Sequence, residues 1–269
     1  MANLKLKKFN MSNIHDDQVV VFVGKRNTGK SFLVKDLLYY HQDIPAGTVI
    51  SGTEGANSFY SNIMPSIFIH CEFNECIVNN YLKRQKQIMR SYNENKSEID
   101  PRAFLILDDC LYDPSWTKQK EIRSMFMNGR HYKSLFIITM QYALGIPPNL
   151  RTNIDYIFLL RENIHANRKR LYEQYAGMFP TLEIFNQVMD QCTENYECLV
   201  INNTSKSNKL EDQVFWYKAS THPDFKIGHH KLWKYHQYNY DPDHGNDDQF
   251  DVNNSRKKKG PLIKVKKSY

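Results

Sequence analysis

At 269 residues, with 41% hydrophobic and 13% aromatic content, the chain has the length and apolar content for one large α/β domain or one domain with decorated ends. Its formal net charge of +7 suits an anionic partner such as nucleic acid, although part of that excess sits in one tail and leaves the rest nearer neutral. Cys71, Cys76, Cys110, Cys192 and Cys198 are odd in number and lack framework or C-x2-C spacing, which excludes a disulfide scaffold and a cysteine metal cage.

The opening MANLKLKKFNMSN has no apolar signal core, and no stretch nears about 18 consecutive apolar residues. The chain is therefore expected to be soluble, intracellular and not secreted. The first buried strand is predicted over residues 19–23. A helix follows with Leu33, Val34, Leu37 and Leu38 on one face. GTVIS (47–51) and SIFIH (66–70) read as short strands. Residues 77–92 read as an amphipathic helix, with Ile77, Val78, Tyr81, Leu82, Ile88 and Met89 inward and Lys83, Arg84, Lys86 and Arg90 on the other face.

After the polar link NENKSEIDP, AFLILDDC forms a very apolar strand that ends in Asp108 and Asp109. A helix over 118–128 turns Ile122, Met125 and Phe126 inward. SLFIITMQ (134–141) and IDYIFLL (154–160) are buried strands separated by GIPPN. Helices are predicted over 166–175 and 182–191, then a hairpin of YECLVINN and QVFWYKAS around NTSKSNK. Strands alternating with helices predict a mostly parallel sheet covered on both faces. Beyond about Thr221 the acidic DPDHGNDDQFDVNN and basic RKKKGPLIKVKK lack the apolar content of a core and read as a mobile tail. Asp241, Asp243, Gly245 and Asp247 do not make a calcium loop, because the glycine is misplaced and the closing glutamate is missing.

The turn after the first strand carries the chemistry. Gly24-Lys25-Arg26-Asn27-Thr28-Gly29-Lys30-Ser31, followed by Phe32, matches the phosphate-binding pattern G-x-x-x-x-G-K-S/T between a buried strand and a helix. Such a loop aims successive N–H groups and a helix N-terminus at phosphates. Lys30 is expected to bridge the β- and γ-phosphates of a nucleotide, and Ser31 to offer its hydroxyl to Mg2+. Asp108 and Asp109 sit at a strand tip, where such sites lie. Asp108 is the expected metal carboxylate and Asp109 the group that polarises attacking water. Gln141, at the tip of the next strand, is placed to touch the γ-phosphate or that water. Hydrolysis needs a further positive charge, often from a neighbouring subunit. Arg130, Arg151, Arg161, Arg168 and Arg170 are candidates, with Arg168 and Arg170 favoured.

GKRNTGKS, ILDDC, NGRHYKSLFIITMQ, LRTNIDYIFLLREN and NRKRLYEQYAGMFP, in that order over residues 15–220, resemble the genome-packaging ATPases of nucleocytoplasmic large DNA viruses. Those include the poxvirus packaging ATPase, and they belong to the FtsK–HerA superfamily of ring-forming DNA pumps. The resemblance implies an α/β P-loop NTPase fold with a C-terminal β-hairpin. It implies an N-terminal extension (1–14), a motor domain (15–220) and a flexible charged tail (221–269). It also implies ATP hydrolysis that drives double-stranded DNA into a capsid from a pentameric or hexameric ring, in the virion or at the assembly site in the host cytoplasm. Capsid or inner-membrane virion proteins are the implied docking partners. Much of the wider superfamily has Asp-Glu where this chain has Asp108-Asp109, a departure that bears on water activation. Two alternatives remain open: a small-molecule P-loop kinase, against which the paired aspartates and Gln141 argue, and a nucleotide-gated virion assembly adaptor, against which Lys30 and Ser31 argue.

Overall fold

The valine run that ends at Gly24 is buried from both sides. Val19, Val21 and Val23 enter one apolar core, while Val20 and Phe22 enter another on the opposite face of the sheet. An unbroken apolar run is what a strand covered on both faces requires. The computed structural model describes residues 4–94, 98–111 and 114–240. Among them the strands are β1 (Lys7–Lys8), β2 (Val19–Val23), β3 (Gly47–Ser51), β4 (Ile69–His70), β5 (Ala103–Asp108), β6 (Ser134–Met140), β7 (Tyr156–Leu159), β8 (Glu197–Asn202) and β9 (Val214–Lys218). They form one sheet in the order β1-β9-β8-β7-β2-β6-β5-β3-β4. β8 runs antiparallel to both neighbours, and every other pairing is parallel.

The helices are α1 (Lys30–Tyr40), α2 (Glu54–Asn57), α3 (Glu75–Asn93), α4 (Lys120–Asn128), α5 (Pro148–Arg151), α6 (His165–Tyr175), α7 (Leu182–Cys192), α8 (Leu210–Gln213) and α9 (His230–Asn239). Leu33, Val34, Leu37 and Leu38 of α1 pack with Val20 and Phe22, and Phe22 stacks on Phe158 at 4.6 Å between ring centres. Helices α3, α4, α6 and α7 send Ile77, Ile122, Leu171 and Phe185 into the core on the other face. Asn74 and Thr181 cap α3 and α7 with side-chain oxygens that accept N–H bonds from Cys76 and Ile184. This is the predicted α/β fold, with the expected hairpin, β8 and β9, joined to the main sheet rather than standing apart.

Several elements differ from expectation. The predicted strand over 66–70 opens as a 3-10 turn after Pro65, and only Ile69 and His70 pair with β3. The helix expected from residue 118 begins at Lys120, after a 3-10 turn (Pro114–Lys118). Arg84 turns off the basic face of α3 and donates to Gln85 Oε1 at 2.6 Å, while Lys83, Lys86 and Arg90 remain exposed. Residues 4–14 are built into the body: β1 pairs with β9, and Phe9, Met11 and Ile14 are buried. The stretch 221–240, expected to be tail, is also anchored. Phe225 and Ile227 are buried, and the Ile227 and His229 N–H groups donate to the Ile63 and Pro45 carbonyls at 2.8 and 2.7 Å. Two apolar side chains spaced two apart hold this segment, a signal too sparse to stand out from its polar surroundings. The charged blocks beyond residue 240, with the Asp241 to Asp247 cluster, lie outside the described residues.

Candidate functional site

β2 lies centrally between β7 and β6 and delivers its C-terminal end to the phosphate-binding loop. Gly24 is required by space: a Cβ there would sit 2.7 Å from Leu160 Cβ and 2.8 Å from Thr28 Oγ1. The Thr28 hydroxyl donates to the Lys25 carbonyl at 2.7 Å and tightens the loop. Gly29, at φ +100°, takes the left-handed conformation that glycine adopts without steric cost, and it precedes α1 with no side-chain cap. The first amides of α1 thus open on a cleft lined by Lys25, Asn27, Gly29, Lys30, Ser31 and Asp109. That is the geometry of an anion site.

Lys30 is 6% exposed, and its Nζ donates to the Gly24 and Lys25 carbonyls at 2.8 and 3.1 Å. Asp109 Oδ2 lies 3.7 Å from the same ammonium. Burial pulls the Lys30 pKa below its ordinary value, against the opposing pull of Asp109 and Asp108. Asp109 leaves β5 at φ +48° and also accepts a bond from Gln141 Nε2 at 3.3 Å. Lys30, Asp109 and Gln141 therefore meet, as the sequence predicts. Asp108 sits behind them, 3% exposed. Its two carboxylate oxygens accept hydroxyl bonds from Thr139 at 2.6 Å and Tyr60 at 2.8 Å. Burial nonetheless raises the Asp108 pKa, outweighing both bonds. Ser31 lines the cleft and Asp108 lies behind it; both offer oxygen donors, the kind a hard divalent cation takes. The glycine-cleared loop with its buried lysine fits a polyphosphate.

The arginines separate. Arg168 donates to the Glu162 carbonyl at 2.5 Å and to Asp190 at 2.6 Å, so its guanidinium is held within the chain. Arg170 donates to the Tyr142 hydroxyl, lies over that ring at 5.3 Å, and borders a recess shared with Gly24 and Gln141. Arg161 bonds Asn163, and Arg151 bonds the Gln174 carbonyl and lies over Tyr175. Arg130 pairs with Asp155, which accepts from the Val19 N–H at the far end of β2.

Sequence reasoning missed Tyr60, Thr139, Glu162 and Tyr196. Glu162 is buried and bonds Lys25 at 2.5 Å, the Ile164 N–H at 2.8 Å and Asn167 at 3.0 Å. Burial raises its pKa, but those partners outweigh it and hold the group below the usual carboxylate value. A polar Thr139 within an apolar strand and an acid three residues after β7 were readable signals. Tyr60 and Tyr196 left none. A separate, more enclosed cavity lies beside the start of β3, lined by Thr48, His70, Tyr81 and Arg84, and burial lowers the His70 pKa to about 4. It contains none of the phosphate-loop residues.

No known family profile matches the chain. An uncharacterized protein of Acanthamoeba polyphaga mimivirus is 41% identical over 247 residues, covering 90% of this chain and 87% of its own length. An uncharacterized protein of Invertebrate iridescent virus 6 is 39% identical over 243 residues, covering 89% and 92%. Among solved structures, the genome packaging NTPase B204 of Sulfolobus turreted icosahedral virus 2, in complex with ATP-gammaS, aligns over 77% of this chain and 100% of its own. Its TM-score is 0.53 at 16% identity. ATPases 2 and 3 of EssC from Geobacillus thermodenitrificans align over 84% of this chain and 46% of theirs, with TM-score 0.51 at 15% identity. At such identities the likeness concerns the fold. The chain belongs to the protein family shared by these nucleocytoplasmic large DNA viruses and has the P-loop fold of the viral genome packaging ATPases.

Proposed function

We propose that the protein is an ATP-hydrolysing motor that moves double-stranded DNA into a viral capsid and works as an oligomeric ring. The observation that carries this reading is the meeting of Lys30, Asp109 and Gln141 beside the uncapped start of α1. Lys30 neutralises charge on the β- and γ-phosphates, while Gly24 to Phe32 cradle the polyphosphate with backbone amides. Ser31 and Asp108 would hold Mg2+, which when bound would offset charge on the phosphate oxygens. Asp109, exposed to the cleft, orients and polarises the attacking water, and Gln141 positions the same water or the γ-phosphate. The segment 161–170 supplies an arginine to the neighbouring subunit's site. Arg170 is freer for this role than Arg168, whose guanidinium is bonded to Asp190. The exposed Lys83, Lys86 and Arg90 of α3 contact DNA phosphates, an interaction that weakens with salt. The virion or its assembly site in the host cytoplasm is the place of action, with capsid or inner-membrane virion proteins as docking partners.

The test is ATP turnover with and without long duplex DNA, for the wild type and Lys30→Ala. DNA-stimulated hydrolysis that Lys30→Ala abolishes supports the motor. A monomer that hydrolyses ATP regardless of DNA, or that phosphorylates a nucleoside, refutes it.

A further inference from the structure

The phosphate end of the cleft is fully described by the loop, Lys30 and the two aspartates. The same cleft also carries aromatic side chains, which the hydrolytic reading does not use. Tyr196 stands there 69% exposed, and Phe32, the first residue past the phosphate-loop motif, is 65% exposed. Phe59, Thr53 and Asn57 also line the cleft.

Tyr196 is held in place at a conformational cost. Asn195 and Tyr196 both have positive φ, 50° and 63°. Asparagine tolerates that region, but for a bulky aromatic residue it is an outlier costing about 1 kcal/mol. The ring recovers little inside the chain, being largely in solvent and stacked on no other ring among the described residues. The sheet explains its position. Tyr196 directly precedes β8, whose first residue, Glu197, pairs with Lys218 at the same end of the sheet to which β2 brings Gly24. The left-handed pair then turns the side chain toward the loop, with Cδ1 3.5 Å from where a Cβ on Gly29 would sit. A cleft that holds both a cationic, amide-lined loop and exposed aromatic rings offers partners for both parts of a nucleoside triphosphate.

We propose that Tyr196 is the stacking platform for the nucleobase. The inference rests on the nucleotide reading above and adds the site of the base. Stacking on an exposed aromatic ring is sequence-tolerant. The platform therefore sets affinity for the base as a flat ring more than its identity.

The experiment compares binding of ATP-gammaS and of inorganic tripolyphosphate, both with Mg2+, to the wild type, Tyr196→Phe and Tyr196→Asn. Asparagine tolerates the left-handed backbone and removes only the ring, and thermal melting checks that the fold is kept. Tyr196→Asn is expected to weaken ATP-gammaS about thirtyfold, the middle of the range for one lost base stack, and to leave tripolyphosphate unchanged. Tyr196→Phe is expected to stay near wild type. A triphosphate carrying 2-aminopurine supplies a direct signature: its fluorescence is quenched on binding the wild type and not on binding Tyr196→Asn. Unchanged ATP-gammaS affinity in Tyr196→Asn, a parallel loss of both ligands, or no quenching in the wild type overturns the proposal. A wild-type chain that binds neither ligand refutes the nucleotide reading itself, and the platform falls with it.

Discussion

Tyr60→Phe tests whether Asp108 is held as an anion by its neighbours. Tyr60 is fully buried, and its hydroxyl donates to Asp108 Oδ2 at 2.8 Å as one of two hydroxyl bonds on that carboxylate. The substitution deletes one oxygen and leaves the ring, so cavity formation contributes little. A hydrogen bond to a charged acceptor contributes about 1.5–3 kcal/mol, and one between neutral groups about 0.5–1.5 kcal/mol. Tyr81 provides the internal comparison: it too is buried, but its hydroxyl bonds the neutral Ser134 hydroxyl. Tyr60→Phe is expected to lower stability by about 2 kcal/mol and Tyr81→Phe by about 1 kcal/mol. Equilibrium urea unfolding at pH 7.5, followed by circular dichroism, measures both from the shift in midpoint at constant slope. If Tyr60→Phe costs no more than Tyr81→Phe, Asp108 does not act as a charged acceptor in the folded chain. The role assigned to it as a metal carboxylate then loses its electrostatic basis.

Asp109→Asn is expected to lose about 1 kcal/mol less stability than Asp109→Ala, since asparagine tolerates φ +48° and both remove the charge beside Lys30; both abolish ATP turnover. Full turnover in Asp109→Asn excludes this carboxylate from water activation. The Asp16 carboxyl is held down to about 2 by its hydrogen bond to His41 and, beyond a burial effect that opposes it, by Arg102. Because the folded value lies below the ordinary 3.8, this stabilisation is present above about pH 4 and disappears as pH falls through about 2. Unfolding of Asp16→Asn between pH 2 and 6 is expected to show a shallower acid dependence and a loss at pH 6 of about 1–2 kcal/mol after solvent screening. Ile227→Ala truncates a fully buried side chain in the segment that sequence texture assigns to the tail. It is expected to cost about 2–4 kcal/mol in urea unfolding, and a neutral result would place residues 221–240 outside the cooperative unit.

The parts of this molecule legible in its sequence are those where local chemistry and tertiary role coincide. Buried parallel strands must be apolar on both faces, so β2, β5 and β6 are continuous hydrophobic runs. A phosphate loop is built from its own backbone, so Gly24, Gly29 and Lys30 announce it within eight residues. Other features depend on partners far along the chain. Tyr60 reaches Asp108 across 48 positions, and its backbone N–H is fixed by Glu54 Oε2 at 2.9 Å. Tyr217 and His222 meet Asp36 across 181 and 186 positions, and together they tie the end of β9 to α1. Strand order is likewise silent in sequence: β2 lies beside β6 and β7 rather than β3, its successor in the chain.

The two adjacent aspartates show how equal letters acquire unequal chemistry. Asp108 still belongs to β5 and sits opposite Thr139 of β6 in register, so its side chain is committed to the interior. One residue later the backbone turns left-handed, and Asp109 is released toward Lys30 and Gln141. Thr139 governs the switch. Its hydroxyl donates to Asp108 Oδ1 and accepts the Asp109 N–H at 3.1 Å, so a single side chain fixes the rotamer of one acid and the backbone of the other. Gly52 completes the corner: its N–H donates to the Asp108 carbonyl at 3.1 Å, and a Cβ there would come within 2.8 Å of the Asp109 carbonyl oxygen. An acid that is 3% exposed and shielded by two hydroxyls is suited to holding charge in place, and one facing the cleft beside an ammonium is suited to moving a proton. An aspartate at this position reaches one methylene less far than a glutamate would. With Lys30 3.7 Å and Gln141 3.3 Å from its carboxylate, the shorter acid is positioned by its neighbours as well as by its own backbone.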